Sequence, residues 1–136
     1  VPGTFYLQTG MISMESLLVG FSMGTFSTAI LVVNNLRDVE TDTKTGKRTL
    51  VVRWGKRFGR IEYSIMMVVA YFIPAVLAVI WKNDLSMYLY LFSLPIAAKM
   101  MISVWTLERK ELFPILGGTA RVMMVYSILF VLGLIL

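Results

Sequence analysis

Between Ser16 and Leu36 the chain runs for 21 residues without a charge. At about 1.5 Å per residue, a helix of that length crosses a hydrocarbon core of about 30 Å. Ile61 to Trp81 is a second run of 21 residues, broken only by Glu62 near its start. A third apolar run covers about 85–107 and a fourth 117–136. Backbone in hydrocarbon must satisfy its own hydrogen bonds, and runs this long do so as helices. The expected fold is therefore all-α: a polytopic transmembrane bundle of four spans, 16–36, 61–81, 85–107 and 117–136, forming one transmembrane domain over 1–136. A mean hydropathy of +0.76 with 15% charged residues excludes an ordinary soluble domain.

The residues that are missing narrow the chemistry. With no Cys and no His, the chain has no disulfide, no thiolate or imidazole metal site, no Ser-His triad and no histidine base. Carboxylate chemistry is left. The acids and bases that carry it gather in NNLRDVETDTKTGKRTLVVRWGKRFG, residues 34–59, which holds three of the eight acids and seven of the thirteen Lys and Arg.

Within this island Asn34, Asp38 and Asp42 recur every four residues, so a helix would align their oxygens along one stripe. Such hard oxygen ligands are what Mg²⁺ selects. Lys44, Lys47 and Arg48 follow directly, an arrangement whose charges balance when a metal and a polyphosphate are both held there. Paired acids at i,i+4 are also common on solvated helices, and the motif gains weight from its place at the end of a membrane span. Upstream, Gly20, Gly24 and Ser27 project in similar directions to Asn34 and Asp38, which serves close helix packing or a cleft leading to the acids. The segment TGKRT is not a phosphate-binding loop, since Thr41 stands where the first glycine belongs and Arg48 where Ser or Thr belongs.

Residues 37–60 carry eight Lys and Arg, residues 108–121 three, and the turn 82–84 one. The positive-inside rule puts the first two on the cytoplasmic side of the cell's inner (plasma) membrane, with 37–60 as a cytoplasmic motif loop and the Lys82 turn outside. The net charge of +5 reflects topology and phosphate handling, and no nucleic-acid partner is expected. Pro74 is expected to kink the second span and Trp81 to anchor it at the interface. Lys99 lies inside the third span, which suggests either a functional group or a side chain snorkelling to the interface. The opening VPGTFYLQTG reads as the end of a preceding membrane helix and its turn, so the chain is expected to be part of a longer protein.

The run NNLRDVETD followed by GKRTLVVRWG resembles the second aspartate-rich motif of the UbiA superfamily of intramembrane aromatic prenyltransferases. The combination of NNxRDxxxD with GKxTLxxRxG, with YLQTG before it, is most similar to the menaquinone branch, which acts on 1,4-dihydroxy-2-naphthoate. The resemblance implies the C-terminal part of a nine-helix bundle with two facing aspartate motifs, of which these residues carry one. It implies that Asp38 and Asp42 ligate Mg²⁺ and are catalytic, that Asn34 and Asn35 support them, and that Arg37, Lys47 and Arg48 bind the diphosphate. The implied reaction moves a polyprenyl group from its diphosphate to 1,4-dihydroxy-2-naphthoate with loss of carbon dioxide, giving demethylmenaquinone; the chain alone would be inactive. The partners are then a polyprenyl diphosphate, the aromatic acceptor and membrane lipid. Tyr63, Tyr71 and Phe72 are candidates to line the cavity, with core or lipid-facing roles the plainer expectation. Two other readings remain open: the same fold acting on 4-hydroxybenzoate or another phenol, and a non-enzymatic bundle or transporter part whose basic loop binds anionic lipid.

Overall fold

A computed structural model describes residues 1–81 and 85–136 as helices joined by short connections, with no strand among the described residues. Five α-helices follow in order: α1 (Pro2–Thr9), α2 (Met14–Lys44), α3 (Leu50–Ile80), α4 (Leu94–Thr106) and α5 (Phe113–Ile135). Two 3₁₀ segments, Leu85–Ser93 and Arg109–Leu112, lead into α4 and α5. Four helical stretches are long and apolar enough to cross a membrane: α2, α3, the 3₁₀ segment with α4, and Arg109–Ile135. The expected four-span, all-helical bundle is thus found. The expected Lys82-Asn83-Asp84 turn lies outside the described residues.

The span boundaries differ from the sequence expectation in one consequential way. Helix α2 does not stop at Leu36 but continues to Lys44, so most of the motif expected in a loop at 37–60 is helical. Nothing in the island breaks a helix before Gly46, and the apolar run only marks where hydrocarbon ends. Ser13 starts α2, accepting a hydrogen bond from the Ser16 amide at 3.1 Å, and Thr49 starts α3 in the same way with Val52 at 3.2 Å. Inside α3 the backbone leaves helical geometry at Gly55, with φ 87° and ψ 167°, a conformation closed to other residue types. That break separates a short turn of helix, Leu50–Trp54, from the long membrane segment. The interruption sits there, whereas Pro74 is buried within α3.

Helix packing creates an interior without help from water, since lipid chains are as apolar as leucine; contact and hydrogen bonding decide which faces meet. The centre is a ring cluster of Phe26, Tyr71, Tyr90, Tyr126 and Phe130, with Phe26 and Tyr126 edge to face at 4.9 Å. Each buried tyrosine hydroxyl is satisfied across helices. Tyr126 meets Ser22 Oγ at 2.9 Å and the Ala70 carbonyl at 3.1 Å; Tyr63 meets Thr119 at 2.8 Å and Tyr71 meets Ser93 at 2.5 Å. Tyr63 and Tyr71 are therefore core residues, while Phe72 points outward and is exposed. Gly133 lets α5 lie directly on the Leu85–Ser93 segment: a Cβ there would run into the Ser86 carbonyl, and Ser86 Oγ donates to the Gly133 carbonyl at 3.1 Å.

Candidate functional site

The buried residues of α2, among them Ser22, Phe26, Ala29, Val33 and Leu36, fall on one face toward α3 and α5. At about 100° per residue, Gly20, Gly24, Ser27, Leu31, Asn34 and Asp38 fall on the opposite face. Gly24, Ser27 and Leu31 are exposed there, and Asn34 and Asp38 half-buried. The two glycines divide: a Cβ on Gly20 would meet the Pro2 ring of α1, whereas Gly24 has open space beside it. Close packing accounts for the first glycine, and the second lies on an open face, with Ser27 and Leu31, that runs toward the acids.

At the motif the side chains engage one another. Arg37 grips Asp38 with two hydrogen bonds, Nε to Oδ1 at 2.7 Å and Nη2 to Oδ2 at 2.6 Å, and Nη2 also donates to Asn34 Oδ1 at 2.7 Å. Its guanidinium lies 5.8 Å from the centroid of the Phe113 ring. Arg37 is thus turned to the acid stripe rather than held out for a ligand. Asp42 lies one turn on and is buried, at 6% exposure. Its Oδ1 pairs with Lys47 Nζ at 3.4 Å, and its carbonyl accepts from the Lys47 amide at 2.9 Å as the chain turns back. Oδ2 is buried and has no hydrogen-bond partner. Asn35 is half-buried about two turns before this acid on the same helix, and Arg48 is exposed; neither side chain is paired among the described residues. The structure thus brings Asn34, Arg37 and Asp38 together, joins Lys47 to Asp42, and leaves Arg48 outside the cluster.

A divalent cation fits this donor set as part of a shell. The oxygens are of the hard kind Mg²⁺ prefers, and the lone pairs of Asp42 Oδ2 are uncommitted. Among the described residues no group of three or more acids could hold a metal ion alone. Mg²⁺ typically takes one or two carboxylates and completes its octahedron with water and phosphate oxygens, which suits two aspartates on a single helix.

The structure adds residues that the linear motif did not reveal. A cleft of about 370 Å³ opens on one flank of Asp38, lined by Arg37, Asp38, Glu40, Thr41, Arg109 and Lys110. Its far wall is the connection 107–112, which is pinned at several points. Glu108 takes Lys56 Nζ at 2.7 Å and Arg60 Nη2 at 2.6 Å, Arg60 also donates to the Leu107 carbonyl at 3.2 Å, and Arg109 pairs with Glu40 at 2.7 Å. Arg109 has a positive φ of 50°, a costly backbone state for a residue with a Cβ, which turns the chain here. The only hint in the sequence was the charge of ERKEL; which acid meets which base is set by tertiary structure. Lys99 and Arg121, both exposed, do not line this cleft.

Hydrogen bonds from Lys56 and then Arg60 hold the Glu108 carboxyl below the ordinary glutamate value of about 4.3, against a smaller upward push from burial. A depressed acid stabilises the fold above its unfolded pKa, and that contribution is lost as pH falls through the lower folded value. Glu108→Gln is accordingly expected to lower the melting temperature near neutral pH, with the gap to wild type closing below about pH 4. A gap unchanged with pH in detergent melts would deny the carboxylate its role in pinning this connection.

Comparison with known proteins agrees with this geometry. Residues 1–116 match the UbiA prenyltransferase family. The chain is 38% identical over its whole length to the 1,4-dihydroxy-2-naphthoate octaprenyltransferase of Haemophilus influenzae and 30% identical to that of Escherichia coli K12, spanning 44% of each. It is 30% identical over 96% of its length to UbiA prenyltransferase domain-containing protein 1 of Gallus gallus, spanning 38% of it. The chain thus spans less than half the length of these relatives, matching their C-terminal part. No solved structure matches it. With an acid stripe closing a bundle of apolar helices, and with these relatives, the chain belongs to the UbiA prenyltransferase family.

Proposed function

We propose that this chain forms one side of the polyprenyl diphosphate site of an aromatic prenyltransferase that acts on 1,4-dihydroxy-2-naphthoate. The observation that carries the proposal is the placement of Asn34 and Asp38, half-buried, on the α2 face turned away from this chain's own core, with buried Asp42 one turn on keeping a carboxylate oxygen unpartnered. A face like that is built to meet something else, and its oxygens suit a metal-bound diphosphate.

In the proposed reaction the C–O bond between prenyl carbon and diphosphate breaks, and pyrophosphate leaves with the electron pair. The electron-rich naphthoate ring attacks the allylic carbon at the position bearing the carboxylate, which departs as carbon dioxide, so the ring regains aromaticity and the product is demethylmenaquinol, the hydroquinone form of demethylmenaquinone. Mg²⁺, held by Asp38 and Asp42, would neutralise charge on the diphosphate as it leaves. Lys47 lies beside Asp42 and Arg37 beside Asp38, so both cations stand where they reach diphosphate oxygens by exchanging an intramolecular carboxylate for a phosphate. Arg48, exposed on the following turn, is available for the same group. Asn34 orients Arg37 through its amide oxygen. The surrounding apolar helices keep water from the allylic centre, which water would otherwise quench. The charged end of the bundle faces the cytoplasm of the plasma membrane in this reading, where phosphorylated donors are made.

The full-length protein in membranes, given a polyprenyl diphosphate, Mg²⁺ and naphthoate labelled in its carboxylate, is expected to release labelled carbon dioxide. Release should need both donor and metal and stop with a chelator. Prenylation without that release would move the assignment to another phenolic acceptor.

A further inference from the structure

We propose that Lys110, on the connection between α4 and α5, is a further cation for the substrate diphosphate, presented to Asp38 from outside the aspartate motif; this rests on the diphosphate reading above. Three basic side chains line the cleft beside Asp38, and two of them are committed: Arg37 to Asp38 and Asn34, Arg109 to Glu40. Lys110 is exposed and has no ion pair or hydrogen bond among the described residues.

Its position is fixed by its neighbours rather than by a partner of its own. Glu108, two residues before it, is clamped by Lys56 and Arg60 of α3, and Arg109 is tied to Glu40 of α2. The Glu111 carboxylate reaches back to the Glu108 amide at 3.3 Å, closing the turn that contains Lys110. Four charged contacts and a strained backbone thus hold a short segment against the α2 motif, and the one lysine within it stays free at the cleft wall. A free ammonium beside this carboxylate stripe suits an anion that the lysine would hold directly and the carboxylates would hold through a metal ion. The cleft has the size for it, since about 370 Å³ holds a diphosphate group with its bound waters.

The geometry also divides the labour. At about 100° per residue, Thr41 of the cleft lies about 60° to one side of Asp38 and Asp42 about 40° to the other. Lys47 serves the Asp42 side, and Lys110 serves the opposite side. An anion held over Asp38 is then met by a cation from each flank.

The test is binding of inorganic pyrophosphate, with Mg²⁺, to the full-length protein in lipid nanodiscs, measured calorimetrically. Lys110→Gln is expected to weaken binding about tenfold, the loss of one charge-assisted hydrogen bond, and Lys110→Arg to retain most of it. Arg57→Gln removes the same charge from an exposed site that does not line the cleft and should leave binding as in wild type. In turnover, Lys110→Gln should raise KM for the prenyl diphosphate and leave kcat nearly unchanged, as befits a group that holds the substrate without acting on the breaking bond. If wild type binds pyrophosphate and Lys110→Gln binds as tightly as Arg57→Gln, Lys110 has no such role while the diphosphate site stands. If wild type fails to bind pyrophosphate with Mg²⁺, the diphosphate reading falls and the role of Lys110 falls with it.

Discussion

Asp42→Asn in the full-length protein is expected to lower prenyl transfer by about 10²–10³-fold, the scale seen when one preorganised group facing developing charge is removed, while leaving the melting temperature unchanged or raised. The second half of that outcome is the informative one. A carboxylate oxygen buried without a partner costs roughly 1–3 kcal/mol, so the wild-type side chain is a poor choice for stability at this position. Asparagine has nearly the same shape and carries no charge. What is lost is the ion pair with Lys47, itself mostly exposed and so of little worth to the fold. A residue that costs stability and carries function is what a ligand site produces. Asp38→Asn should lose activity on the same scale but also loosen Arg37, whose two bonds to that carboxylate would be weakened. Turnover and thermal melts on the same preparations decide the matter. Were Asp42→Asn to melt well below wild type, or to keep its activity, the acid would be structural and the proposed metal site misplaced.

Gly133→Leu should be the most damaging single change to the bundle, costing about 1–3 kcal/mol or more. A Cβ at 133 would run into the Ser86 carbonyl oxygen and sit 3.1 Å from its carbon and 3.2 Å from Met87 Cα, so the obstacle is backbone. No rotamer change relieves it; α5 and the Leu85–Ser93 segment have to part, with loss of the Ser86 to Gly133 hydrogen bond. Gly118→Ala offers the control. There the obstacle is the thioether of Met100, a flexible side chain that swings aside at small cost. Thermal melts and protease sensitivity of the two variants should separate sharply, and equal melting would mean that α5 does not rest on the 85–93 segment as described.

Much of the architecture is legible in the chain. Charge-free runs of about 21 residues announce the spans, and the four-residue recurrence of Asn34, Asp38 and Asp42 places one stripe on one helix. The extent of α2 was harder to read, because hydropathy reports where hydrocarbon ends and not where hydrogen bonding ends; the helix runs eight residues past Leu36, to Lys44. The break at Gly55 was hidden in the same way, since WGK reads as loop or as helix until φ is known. Least legible were the contacts that shape the cleft. Glu108 meets Lys56 and Arg60 across about fifty residues of sequence, and a charge in one loop carries no mark of its partner in another. Tyr63 and Tyr71 illustrate the remaining limit: an aromatic in a span suits cavity, core or lipid equally well until its hydroxyl finds Thr119 or Ser93.

The break at Gly55 also decides where a dipole begins. Because the long part of α3 starts after it, Lys56, Arg57 and Arg60 all stand in the first turns of that segment, where the macrodipole is positive and cations are disfavoured. Nothing nearby on α3 offsets them except Glu62, one turn further in. Glu108 makes up the deficit from about fifty residues away, placing its carboxylate against two of the three cations at the end of the helix where an acid is favoured. The charged start of this segment therefore takes its counter-charge from the chain beyond α4, so the mouth of the acid stripe is tied shut by residues about fifty positions apart in sequence.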